Sequence, residues 1–379
     1  MKALINGRIV CKDGVATNKV LLYDTHIVGL AEEVPQDCET LDAHGQLILP
    51  GLIDMHTHGY RGQDVSDGTD EAIQTIAEGI VENGVTGYLP TTMALGYDDL
   101  RKAFGCVRRA MRKSRTPEWN GAQVLGLNAE GPFFNPAKRG AHEERFIRPA
   151  DSEFLKEFLD ILRVFTIAPE IAGNLECIRE MANAGVLVSI GHTNATYDQT
   201  MAGIRAGARH ITHLFNAQTG LLHREPGVVG AALSDDRISV ELIADGFHVH
   251  KALFPIVARQ KRDKLCLITD CTRAGGMPDG EYTLGKQTFT LKGIQCLLPD
   301  GTIAGSVLRL NQAVYNLLQN TDLTIFEAVN AASLNPAKVL GLDDEVGSIR
   351  RGRRADFAIA TDTMRICTTI IGGRIVYQA

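Results

Sequence analysis

The feature that most constrains this chain is an alternation of apolar, β-branched runs with helix-period segments. The runs are Leu47–Met55, Val85–Thr92, Gln123–Glu130, Val164–Pro169, Val186–His192, His210–Phe215, Ser239–Asp245 and Leu265–Asp270. Each is close to continuously apolar, the pattern of a strand buried on both faces in a parallel sheet. Between them, Thr69–Asn83 sets Ala72, Ile73, Ile76 and Ile80 on one stripe, with Thr69 as N-cap and Gly84 just past the end. Asn174–Asn183 and Tyr197–Ala206 run out in the same way at Gly185 and Gly207. Eight such strands predict an α/β fold, a (β/α)8 TIM-like barrel of about 250 residues with its site at the strand C-termini. A doubly wound open sheet is the alternative, but no GxGxxG turn follows the first strand.

The two ends have a different texture. Residues 1–46 and 345–379 are short strands and turns without a helical period, and Ile5-Asn6-Gly7-Arg8-Ile9-Val10 is nearly repeated by Ile371-Gly372-Gly373-Arg374-Ile375-Val376. Two hairpin-like pieces at opposite termini predict one small β-sandwich domain built from both, with 47–344 as the barrel. Among 379 residues, 44% are hydrophobic and 22% charged, as in ordinary globular proteins. The net charge of -6 gives no reason to expect nucleic acid or an anionic membrane as partner. Eight scattered cysteines without a CxxC pair, no continuous apolar core near the N-terminus and no run near the roughly 20 residues of a membrane span predict a cytoplasmic protein with reduced thiols.

A barrel demands that functional side chains collect at strand C-termini. Strand one ends in His56 and His58, which share a face because alternate residues of a strand do. Strand three ends in Glu130, strand five in His192, strand six in His213 and Asn216, strand seven in Asp245 and His248, and strand eight in Asp270. Four histidines and a glutamate suit one or two divalent transition metals, with Asp270 as a further ligand or a base. Taken singly, each has a plainer reading as a capping, salt-bridging or solvated residue; the joint pattern carries the argument. His26 and His44 are read as structural or solvated, His210 as lying near the opposite rim, and His223 and His250 as loop residues that are not ligands.

The motifs PGLIDMHTHG, NAEGPFF, GHTNA, THLFNA, REPG, ADGFHV and LITDCT resemble the amidohydrolase superfamily and, within it, the N-acetylglucosamine-6-phosphate deacetylases. HxH and the strand-eight Asp are common to many amidohydrolases, whereas EGPF with THLFNA, REPG and DGFH is narrower. Hydantoinases, dihydroorotases and ureases bridge two metals with a carboxylated lysine; this chain offers Glu130, as the deacetylases do. Some of those deacetylases lack an intact HxH and hold one metal through the counterparts of Glu130, His192 and His213. Others keep both histidines, as here, so a second position is available. The resemblance implies a divalent metal, Zn or Fe, one or two per subunit, with Asp270 as the proton-transferring carboxylate and His248 on the acetamide carbonyl or sugar oxygens.

It further implies that Ala141, Asn216 and Ala217 contact sugar and phosphate, that Ile303-Ala304-Gly305 closes over the substrate, and that Arg224 reaches a phosphate across a homodimer interface. His142 is a candidate hydroxyl contact, Asp245 joins the substrate-binding set with His248, and Lys138 and Arg139 add positive charge near the mouth. The expected reaction is hydrolysis of N-acetyl-D-glucosamine 6-phosphate to glucosamine 6-phosphate and acetate. A deacetylase of the galactosamine epimer, another amide hydrolase of the superfamily, and a non-catalytic sugar-phosphate sensor are the alternatives.

Overall fold

The structure is a computed structural model that describes residues 1–379. Eight parallel strands follow in ring order: Leu52–Thr57, Val85–Thr92, Gln123–Val124 continued by Leu127–Glu130, Leu162–Ile167, Leu187–Ile190, His210–Ile211, Ser239–Ile243 and Leu265–Ile268. They are called barrel strands one to eight below. The ring closes at its C-terminal end, where Asp270 N donates to His56 O at 2.9 Å and His58 N to Cys271 O at 2.8 Å. At the other end Ala331 and Ala332 are wedged between strands one and eight, their carbonyls accepting from Leu267 N and Ile53 N. The chain is therefore a (β/α)8 barrel, each strand followed by a helix from Asp70–Ile80 round to Leu310–Gln319. The sequence signals act as expected: Thr69 Oγ1 accepts from Ala72 N at 3.1 Å, and Gly84 takes the left-handed φ of 77° that ends the segment.

The termini form two further sheets. One orders Ile27–Ala31, Val20–Tyr23, Lys2–Ile5 and Glu39–Asp42; the other orders Arg374–Gln378, Ile366–Ile371, Phe357–Ala360, Leu47–Pro50, Arg8–Cys11 and Gly14–Ala16. Between them lies a core containing Leu4, Ile9, Leu21, Tyr23, Ile48, Phe357 and Ile359, with the Tyr23 and Phe357 rings edge-to-face at 5.3 Å. The middle strands of the second sheet are buried on both faces. Ile48, Phe357 and Ile359 point into the sandwich, while Leu47, Leu49, Ala358 and Ala360 point into the barrel's core. Period-two alternation thus feeds two cores from one strand, which is why these strands read as unbroken apolar runs.

Three sequence expectations change. The Leu47–Met55 run is two strands, because Pro50-Gly51 passes the chain from the terminal sheet to the barrel; Leu47–Pro50 belongs with the terminal strands rather than with 47–344. The near-repeat is not a repeat of structure. Gly372-Gly373 closes a true antiparallel hairpin, but Asn6-Gly7 carries the chain from one sheet to the other. A three-stranded sheet that no sequence signal announced, Gly280–Leu284, Gln287–Lys292 and Gln295–Leu297, is inserted after strand eight. Its Leu284, Phe289, Leu291 and Cys296 pack with Met93, Ala141 and Ala304, forming a wall beside the barrel mouth. All eight cysteines are free, and no helix is long and apolar enough to cross a membrane.

Candidate metal centre

At the barrel mouth a cavity of about 330 Å³ is lined by residues from seven strand ends, including His58, Met93, Glu130, His192, His213, His248 and Asp270. Sharp backbone turns aim these side chains. His192, His213 and Asp270 sit at φ of 48°, 26° and 51°, left-handed values costing about 1–3 kcal/mol each in non-glycine residues. Their neighbours enforce the turns. A side chain at Gly191 would strike Thr212 Cβ at 2.7 Å, and one at Gly305 would strike Thr272 Cγ2 at 2.7 Å. Asp270 is pinned from both sides, its N–H donating to His56 O and its carbonyl accepting from Ser306 N at 2.8 Å.

Glu130 is the hub. Its Oε1 lies 2.9 Å from His213 Nε2, 3.1 Å from His192 Nε2 and 3.5 Å from His56 Nε2; its Oε2 lies 3.1 Å from His58 Nε2. Asp270 Oδ1 is 3.1 Å from His58 Nε2 and 3.5 Å from His56 Nε2. Two positions result: one among Glu130, His192 and His213, and one among His56, His58, Glu130 and Asp270. Ligand atoms about 3.3 Å apart are what tetrahedral bonds of ~2.0–2.1 Å require.

The tautomers fit as well. His56 Nδ1 donates to Glu241 Oε2 (2.9 Å), His58 Nδ1 to Thr91 O (3.1 Å) and His192 Nδ1 to Lys138 O (2.8 Å). Each commitment leaves Nε2 directed inward as a lone pair, and His56 Nε2 is fully buried without a hydrogen-bond partner. The buried cations, Lys261 and Arg353, bind elsewhere, so nothing in the protein neutralises these carboxylates except imidazoles. The residues fit a divalent transition metal. Burial alone would lower the His58 pKa, but hydrogen bonds to Asp270 and Glu130 raise it to about 10. Protons and a cation therefore compete for the same nitrogen atoms.

Around this core, Phe134 stacks on the His192 ring at 4.2 Å. His142 Nδ1 accepts from Ala94 N, which puts its proton on Nε2, 3.5 Å from Glu130 Oε2. Burial pushes the His142 pKa down to about 4, so the ring is a neutral donor. His248 Nδ1 is held by Asp245 Oδ2 at 2.6 Å, leaving Nε2 toward the cavity. Asp54, beneath the centre, ties strand one to strand eight by accepting from Thr269 Oγ1 at 2.6 Å; burial raises its pKa to about 6.

Ala141, His142, Asn216, Ala217, Ile303 and Gly305 line the cavity, as does Lys138. Three expected contacts do not. Asp245 lies behind His248 and acts on it, and Ala304 turns its methyl into the core of the inserted sheet. Arg224 is exposed on the loop after strand six and forms no ion pair; Glu225 instead accepts from Tyr197 N and Gly227 N. His26, His44, His223 and His250 are exposed and outside the cavity. His210 opens strand six and is wholly buried inside the barrel, bonded to Glu241 at 3.2 Å. Glu241 and Asp54 were missed. Glu241 sits mid-strand in SVELI, and the only sequence signal was a carboxylate within an otherwise apolar run.

Comparison with known proteins agrees with this geometry. Residues 47–376 match the family model described as "Amidohydrolase family". The chain is 36% identical over 383 residues to N-acetylglucosamine-6-phosphate deacetylase of Bacillus subtilis (strain 168), covering 99% of this chain and 96% of that protein. It is 35% identical to N-acetylgalactosamine-6-phosphate deacetylase of Escherichia coli O157:H7, covering 97% of each. The crystal structure of N-acetylglucosamine-6-phosphate deacetylase from Pasteurella multocida superimposes with a TM-score of 0.93 at 28% identity, covering all of both chains. The chain belongs to the amidohydrolase family, and within it to the group of amino-sugar 6-phosphate deacetylases.

Proposed function

We propose that this protein hydrolyses the acetamide of N-acetyl-D-glucosamine 6-phosphate to D-glucosamine 6-phosphate and acetate, serving amino-sugar catabolism and cell-wall recycling in the cytoplasm. The observation that carries the reading is the convergence of Glu130, His192, His213 and Asp270 in one cavity with the Asp245–His248 pair. Glu130, His192 and His213, with His56 and His58, would hold a Zn²⁺ or Fe²⁺ ion, one or two per subunit, and such a cation would supply the Lewis acidity that opens an acetamide to attack by water at neutral pH. Asp270 accepts the proton of the attacking water and delivers it to the amine nitrogen as the C–N bond breaks. With Nδ1–H committed to Asp245, His248 presents Nε2 to the substrate, accepting from a sugar hydroxyl when neutral and donating to the acetamide oxygen when protonated. His142 offers Nε2–H as a fixed donor, and Asn216 and Ala217 face the sugar phosphate.

In a single chain no arginine lines the cavity. A homodimer that brings Arg224 of one subunit to the mouth of the next would supply the bidentate guanidinium a phosphate calls for. The decisive experiment is metal analysis of the purified protein beside deacetylation assays on both 6-phosphate epimers. The glucosamine derivative should be preferred, and Arg224→Ala should raise its KM about 10-fold or more with kcat little changed. Equal turnover of a substrate without phosphate, unaffected by Arg224→Ala, would refute this assignment.

A further inference from the structure

The buried carboxylate of Glu241 has no place in the chemistry above, yet it sits directly beneath it. Ser239 and Glu241 share the lumen face of strand seven, as i and i+2 residues must. Glu241 is entirely shielded from solvent, and its only ion-pair partners are His56 and His210; no lysine or arginine reaches it. Burying such a charge is costly unless its oxygens are hydrogen-bonded. Both are. Oε2 accepts from His56 Nδ1 at 2.9 Å and from the His213 backbone N–H at 2.9 Å, and Oε1 faces His210 Nε2 at 3.2 Å. His210 is held in turn by Ser239 Oγ at 2.6 Å, and that hydroxyl reaches Arg209 O.

One carboxylate thus grips a histidine of each metal position: the ring of His56 and the backbone of His213. The His56 ring makes no other hydrogen bond, and its Nε2 points at Glu130 and Asp270 with no partner of its own. Its orientation depends on Glu241 to a degree that His58 and His192, anchored on backbone carbonyls, do not share.

We propose that Glu241 is a positioning residue that governs whether the centre holds one cation or two, by fixing the tautomer and aim of His56. The inference rests on the metal-centre reading above. Its test compares wild type with the isosteric Glu241→Gln by metal analysis, by titration with excess Zn²⁺, and by the ¹⁵N resonances of the imidazoles, with His56→Asn assigning the His56 signals. Loss of a carboxylate partner behind a ligating histidine typically weakens metal binding ~10- to 100-fold. The second cation should lose affinity by that factor in Glu241→Gln while the first is retained, and His56 should lose its single Nδ1-protonated form. Should that variant fail to fold, Glu241→Asp, which keeps the charge but withdraws it by one methylene, should weaken the second cation in the same direction. A wild type that takes up no second cation, or a folded variant with unchanged second-cation affinity and unchanged His56 tautomer, overturns the proposal. A wild type that binds no transition metal at all overturns the metal-centre reading itself.

Discussion

The terminal sandwich and the barrel mouth are both buried, but they are built on opposite terms. In the sandwich, Leu4, Ile9, Leu21, Ile48, Phe357 and Ile359 meet as apolar surface on regular strands. At the mouth, Glu130 and Asp270 crowd against His56, His58, His192 and His213, several on left-handed backbone, and two ring nitrogens, His56 Nε2 and His213 Nδ1, have no partner. Apolar burial is the favourable term there; at the mouth the native structure holds groups whose separation would relieve strain and repulsion. The comparison teaches that stability and chemistry are segregated in this molecule, so substitutions in the two regions should fail in different ways.

The largest separation is expected at Asp270. Asp270→Asn should lower kcat about 10³-fold, the range for loss of a general acid–base group, with the cation among Glu130, His192 and His213 retained and the melting temperature unchanged or slightly raised. Stopped assays with metal analysis of the same sample check this. Substantial turnover with metal bound would end the assignment and blur the contrast between the regions. Removing the metal is the complementary stroke. Dialysis against a chelator should abolish activity and lower the melting temperature, and a cation at 100 times its dissociation constant should restore about 2.7 kcal/mol of stability. Differential scanning calorimetry before and after readdition reads both effects.

Phe357→Ala tests the other side. Its ring is fully buried against Tyr23, and truncation should cost about 3–5 kcal/mol of stability while kcat and KM of the folded fraction stay within twofold. Chemical denaturation paired with steady-state kinetics decides it. A large KM change would mean that the sandwich supports the site through the shared strand Leu47–Pro50, and the segregation would be incomplete.

The same contrast explains what could be read from the sequence. Barrel strands and helices were legible because periodicity and caps act locally: Thr69 and Gly84 sit where the pattern put them. Glu130, His192, His213 and Asp270 were legible because each ends an apolar run. The Pro50-Gly51 passage between sheets was not, since Leu47-Ile48-Leu49 and Leu52-Ile53 are apolar whichever core they enter. Nor was Glu241, whose three partners, His56, His210 and His213, come from strand one and strand six and are fixed only when the barrel closes. The left-handed φ of His192 and His213 leaves no local mark because tertiary packing imposes it.

The smallest effect, and the finest test of the segregation, lies at the barrel's opposite rim. Asp235, just before strand seven, accepts a forked hydrogen bond from Arg237, with Nε at 2.9 Å from Oδ1. The Arg237 side-chain and backbone hydrogen bonds hold the Asp235 carboxyl at about 2, below its ordinary 3.8. A depressed carboxylate contributes stability that is present above the unfolded value and fades as pH falls through the folded one. Wild type should therefore exceed Asp235→Asn in stability above pH 4, and the gap should close between pH 4 and pH 2. Arg237 is half exposed, so screening limits the gap to less than about 1 kcal/mol. Denaturant midpoints across that pH range, at low and moderate salt, measure it. Activity at neutral pH should not change, because this carboxylate faces the rim that carries no chemistry. A loss of turnover in Asp235→Asn would show that strand seven transmits strain from its base to His248 at its mouth.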